Sequence, residues 1–176
     1  MSAEVRRVIT GESPDGKGVF RTVEAVEPIV SHLDFYALWG WNDWPRLPMA
    51  PDAQFVPESS FPAPEEASGV RISMVSFPPQ SDPRSKPKTD DRMANLLRTG
   101  RMRERDVTTG MHRTDSLEVA FVISGEICLE QDDGAEVRLT RGDCLVQNGA
   151  RHAWKNRSEQ PALLGFVTFA AERAGD

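Results

Sequence analysis

Cysteine is scarce in this chain, with only Cys128 and Cys144 among 176 residues, each inside an apolar strand-like run. Neither has a zinc-type spacing partner, and a thiol in such a run is expected to behave as a small buried hydrophobe. Both are expected to stay as thiols in a reducing compartment. Long apolar runs are missing too. No stretch approaches the roughly 20 residues that a bilayer-spanning helix needs, and the opening MSAEVRRVIT carries Glu4, Arg6 and Arg7 with no apolar leader core. These features predict a cytoplasmic protein without a membrane partner. A basic excess is also absent. The formal net charge is −6 and the pI about 5.2, so no overall field exists to hold a phosphate backbone, and nucleic acid is not an expected partner. No internal repeat is visible, and the length suits one domain spanning 1–176.

What is present is punctuation. Thirteen prolines and thirteen glycines break up short runs rich in Val, Ile, Phe and Trp, the pattern of an all-β fold. Strands are predicted over Arg6 to Thr10 and Val19 to Val26, around the turn Ser13-Pro14-Asp15-Gly16, as an N-terminal arm. Phe35 to Trp41 is an aromatic strand. The prolines from Pro45 to Pro64 then forbid regular ladders, so residues 1–68 divide into N-terminal strands and a proline-rich excursion. Gly69 to Phe77 alternates Val70, Ile72 and Met74 against Arg71 and Ser73 and is expected to be half-buried. A short helix is expected from Asp91 to Arg98, in an insertion over 78–106 that is either a lid or a plain surface connection.

From Leu117 the rhythm tightens. Strands are predicted over Glu118 to Ile123, Glu126 to Gln131, Glu136 to Thr140, Cys144 to Gln147, His152 to Asn156 and Leu163 to Phe169, with glycine turns at Gly125, Gly134, Gly142 and Gly149. Such spacing predicts a jelly-roll β-barrel whose core covers 69–170. Alternation puts His112 and Thr114 on one face and His152 and Trp154 on one face. If both faces line one barrel, two imidazoles converge. Glu118 has the parity of His112, and the set His112, Glu118, His152 is that of a two-histidine, one-carboxylate metal site for Fe, Mn, Ni or Zn. Without a metal, the same three groups can act as general acid and base.

The run Gly110-Met-His112-Arg-Thr114-Asp-Ser-Leu-Glu118, continuing to Gly125, resembles the first motif of the cupin superfamily. The run from Gly142 to Asn156, through Gly149 and His152, is similar to the second. The resemblance, closest in style to small single-domain bacterial cupins, implies a double-stranded β-helix. It implies metal ligands at His112, Glu118 and His152 and a closing asparagine at Asn156. The chain departs from the pattern twice. Thr114 stands where the family has a second histidine, and the proline before the last histidine is absent, Asn148 standing there in a segment one residue shorter.

Other residues carry weaker signals. Thr114 offers a hydroxyl to substrate or is simply a strand residue, and Trp154 offers an indole to substrate or fills the core. Alternation points Asp115 outward. Trp39, Trp41 and Trp44 edge the mouth or fill the core; His32 reads as a surface residue. Arg98, Arg101, Arg103 and Arg105, interleaved with Asp90, Glu104 and Asp106, read as a solvated face. The expected function is a metal-dependent lyase or isomerase, dehydratase-like or decarboxylase-like, acting on a small organic acid or carbonyl compound. The alternatives are an Fe(II) dioxygenase and a non-catalytic ligand-binding barrel. Homodimerisation through the N-terminal strands is expected, because Val5 to Thr10 has exposed-edge character.

Overall fold

The structure is a computed structural model that describes residues 4–29, 33–42, 44–47, 49, 69–86 and 107–174. The expected helix from Asp91 to Arg98, the arginine cluster, His32 and most of the proline-rich excursion lie outside the described residues. Ten strands are described: β1 (Arg6–Glu12), β2 (Gly18–Ala25), β3 (Asp34–Trp41), β4 (Val70–Phe77), β5 (Ser116–Ser124), β6 (Glu126–Gln131), β7 (Glu136–Thr140), β8 (Cys144–Asn148), β9 (His152–Lys155) and β10 (Ala162–Ala170). Helical geometry among the described residues is confined to two 3-10 turns, Pro83–Ser85 and Asp132–Gly134.

The strands form a five-stranded sheet in the order β3-β4-β10-β5-β8 and a three-stranded sheet in the order β7-β6-β9, with every pairing antiparallel. The core lies between them. Phe35, Val75, Ala120, Val122, Leu164 and Phe166 come from the large sheet, and Ile127, Leu129 and Leu139 from the small one. Each fully buried aliphatic side chain of this kind stabilises the fold by about 1.5–3 kcal/mol relative to exposure. Strands β1 and β2 form a separate hairpin, the expected N-terminal arm, closed by Ser13, whose N–H donates to the Lys17 carbonyl at 2.9 Å.

Two expectations change. In β4 the alternation holds with the opposite sense: Arg71 is 1% exposed and Ser73 is buried, both in the parity of the core residue Val75, while Ile72 and Met74 are only half-buried. Arg71 tolerates burial because its guanidinium donates to the carbonyls of Trp41 (3.0 Å) and Val70 (3.1 Å) and to Asn42 Oδ1 (2.8 Å). Hydropathy cannot anticipate partners of this kind. Both cysteines are free, as expected, but Cys144 is exposed and Cys128 half-buried. Their strand neighbours Leu145, Ile127 and Leu129 take the inward positions, so the thiols face outward by alternation.

Candidate active site

The two histidines meet through their backbones. His112 lies just before β5 and forms an antiparallel bridge with His152, the first residue of β9. The N–H of each donates to the carbonyl of the other at 2.9 Å. Residues directly opposite in an antiparallel pair project to the same side of the sheet. The imidazoles therefore sit together, with ring centroids 4.6 Å apart and planes inclined by 47°. His152 is 1% exposed and His112 half-buried.

Each ring is then oriented by its own chain. His112 Nδ1 lies 2.8 Å from the Gly110 carbonyl, and His152 Nδ1 lies 2.9 Å from the Ala150 carbonyl. A carbonyl only accepts, so each Nδ1 carries the proton and donates, and in the neutral ring Nε2 keeps the lone pair. That is the tautomer a general base or a metal ligand requires.

Glu118 is set by hydroxyls. Thr114 Oγ1 donates to Glu118 Oε1 at 2.9 Å, and Ser116 Oγ donates to the same oxygen at 3.1 Å. Thr114 is buried, and its hydroxyl holds the carboxylate in place. Trp154 packs against the core cluster, edge-on to Phe166 at 5.8 Å and edge-on to the His152 ring at 6.0 Å. It thus belongs both to the core and to the wall beside the imidazoles.

Among the described residues, no three His, Cys, Asp or Glu side chains are grouped so as to hold a metal ion. The two imidazoles lie together, and Glu118, tied to Thr114 and Ser116, is not grouped with them as a third ligand. Among the described residues, the donors brought together here are the two imidazoles.

Two features, Arg173 and the pair Gln147 and Thr168, go unnamed in the sequence, and a third, Asn156, stands there only as the closing residue of a motif. Arg173, beyond β10, donates through Nε to Asp115 Oδ1 at 2.9 Å and through Nη2 to the carbonyls of Thr114 (3.2 Å) and Gly149 (2.9 Å). It ties together the two loops that lead to Glu118 and His152, and it accounts for the outward Asp115. Asn156 is buried and organises a turn: its Nδ2 donates to the carbonyls of Phe77 and Gln160, each at 2.8 Å, and its Oδ1 accepts from Ser158. Gln147 and Thr168, both buried, flank Glu118 across the sheet. Only strand register reveals that row, and register is not readable from one sequence.

Residues 101–169 match the cupin domain family. This segment takes in both histidines, Glu118 and the strands from β5 into β10, so this part of the chain is similar to cupin domains, and the described strands give a mostly β fold. The curated relatives that match are fungal. The chain is 44% identical over 63 residues to phomopsin biosynthesis cluster protein D of Diaporthe leptostromiformis, covering 35% of this chain and 33% of that protein. It is 34% identical over 64 residues to the cupin-domain-containing oxidoreductase virC of Hypocrea virens, covering 36% and 33%. The chain thus matches about a third of the length of these relatives, and they do not support the bacterial kinship expected from the motif style. Among solved structures, a cupin 2 conserved barrel domain protein from Salinispora arenicola aligns at 18% identity and a TM-score of 0.38, over 62% of this chain and 71% of that one.

Proposed function

We propose that this protein is an enzyme of the lyase or isomerase kind that moves a proton on the carbon beside a carbonyl group of a small organic compound. The observation that carries the proposal is the imidazole pair, with both Nδ1 protons directed to backbone carbonyls and the rings 4.6 Å apart. A base at Nε2 takes the proton from the carbon next to the carbonyl, and the electron pair of the C–H bond moves onto the carbonyl oxygen as an enolate. Where the deprotonated carbon bears a hydroxyl, that hydroxyl's proton passes to the enolate oxygen and the imidazolium returns its own proton to the former carbonyl carbon, which gives isomerisation. Departure of a group from the carbon beyond, protonated by the same imidazolium, gives elimination. His152, buried beside the Trp154 edge, is the base, and the half-buried His112 relays the proton toward solvent.

A divalent ion, where bound, would be held by the Nε2 atoms of His112 and His152 in place of their base and relay roles, since one lone pair cannot serve both. When bound it would supply Lewis acidity toward a substrate oxygen. Because Glu118 does not join the pair as a third ligand, no step is routed through the ion here.

The similarity to a fungal cupin-domain oxidoreductase favours a second reading, an Fe(II)-dependent oxygen-consuming reaction. The test is hydrogen exchange. Candidate carbonyl compounds are incubated with untagged protein in D2O under nitrogen and followed by proton NMR, alongside metal analysis of the same protein. Loss of the α-proton signal, abolished in His152→Gln, is expected. Turnover only with oxygen and iron selects the second reading. Saturable binding without turnover under either gas leaves a ligand-binding barrel.

A further inference from the structure

Gln147 lies on β8 at 2% exposure, and its Nε2 has no hydrogen-bond acceptor among the described residues. Register shows where it faces. Its cross-strand partner is Glu118, which has the parity of the core residues Ala120 and Val122. Leu145, two residues earlier, packs on the same core, whereas Cys144, Val146 and Asn148 are exposed. By alternation, the amide sits on the inner wall of the barrel, one strand away from the Glu118 carboxylate. A buried donor lacking an acceptor is costly, and an apolar side chain of similar volume would avoid the cost.

The neighbouring carboxylate needs the complementary group. Its Oε1 already accepts from Thr114 and Ser116, while Oε2 accepts from no hydrogen-bond donor among the described residues. Side chains directly opposite across two strands have Cβ atoms about 4.5–5.5 Å apart. The wall therefore presents an N–H donor and a carboxylate acceptor side by side. The Glu118 charge opposes an anion at this place. The nearest buried cation in the same row, Arg71 beyond Thr168, is engaged with Trp41, Val70 and Asn42.

We propose that Gln147 Nε2 receives the carbonyl oxygen, and Glu118 the adjacent hydroxyl, of a small neutral α-hydroxy carbonyl compound. This rests on the proton-transfer reading above and names its substrate class. In that reaction the Gln147 N–H meets the oxygen on which negative charge develops, where a preorganised donor is most effective.

The test uses the full-length chain labelled with nitrogen-15, the Gln147 side-chain amide signals being identified by their loss in Gln147→Met. Acetoin and dihydroxyacetone are titrated in, with lactate as the carboxylate control and ethylene glycol as the control without a carbonyl. The first two are expected to shift the Gln147 amide protons downfield with saturation, and the controls to leave them in place. Gln147→Met is expected to weaken acetoin binding about tenfold, equivalent to about 1.4 kcal/mol. Its melting temperature without probe is expected to be unchanged or higher, since the deleted amide has no internal acceptor. Three results overturn the proposal: lactate binding tighter than acetoin, an acetoin affinity indifferent to Gln147→Met, or a lower melting temperature in that variant. Gln147-dependent binding of acetoin without α-proton exchange in D2O leaves this inference standing and removes the lyase or isomerase reading.

Discussion

Replacing Arg173 by methionine keeps an unbranched stem and removes the guanidinium, and the consequences follow from its three hydrogen bonds. The contact with Asp115 joins two side chains that are each one-third exposed. Screening at such exposure limits an ion pair to less than about 1 kcal/mol. The bonds to the Thr114 and Gly149 carbonyls are partly buried. Bonds from a charged donor contribute about 1.5–3 kcal/mol at best. Because water reaches both carbonyls once the guanidinium is gone, about 1 kcal/mol each is the appropriate figure. The sum is about 2–3 kcal/mol. For a chain of this size each kcal/mol lowers the melting temperature by about 2–4 °C, so a drop of about 5–10 °C is expected. The loss is local as well as global, because the two carbonyls belong to the segments leading to Glu118 and His152. Amide hydrogen exchange should accelerate over 112–116 and 149–152 more than in the β4–β10 ladder. Scanning calorimetry and exchange mass spectrometry measure both effects. Asp115→Asn should reproduce less than half of the thermal shift. A change of less than about 1 °C in Arg173→Met, with exchange at the two segments untouched, would refute the idea that Arg173 fastens them.

Other substitutions probe the frame around the site. Gly125 has a φ of 75°, and a Cβ there would lie 2.6 Å from the Pro161 carbonyl oxygen and 2.9 Å from Ala162 Cα. Gly125→Ala therefore forces β10 backbone to move and should cost about 3 kcal/mol in chemical denaturation, combining left-handed strain with overpacking. Asn156→Ala removes both donors and the acceptor of one buried turn and should cost about 2–4 kcal/mol with little direct effect on the imidazole pair. The β1–β2 hairpin exposes Val8, Phe20 and Val23, and an isolated hairpin is marginal in water. Homodimerisation through this arm predicts a light-scattering mass of twice the 19.6 kDa chain, falling toward one chain in Phe20→Glu. A monomer at high concentration in the parent protein counts against it.

The strand rhythm is legible because turn chemistry and alternation are local. β6 and β7 fall on the residues that the turns at Gly125 and Gly134 delimit. Gly125 also shows what a motif glycine does physically, since it sits where two backbones nearly touch. The histidines are legible as candidates, but the reason they meet is a two-residue backbone bridge that depends on which strands pair. Arg71 inverts the apparent sense of β4 because its hydrogen-bond partners, Trp41 and Asn42, lie about thirty residues earlier. Gln147 and Arg173 carry no local sign of their roles, which exist only through cross-strand register and a contact 58 residues away in the chain.

The reciprocal amide pairing of His112 and His152 has a practical corollary. Since main chain and not ring packing sets the distance between these two positions, either imidazole can be exchanged for a thiol or carboxylate while its counterpart stays put. The bridge is thus a ready two-point template, on which new donor combinations can be installed without redrawing the strands.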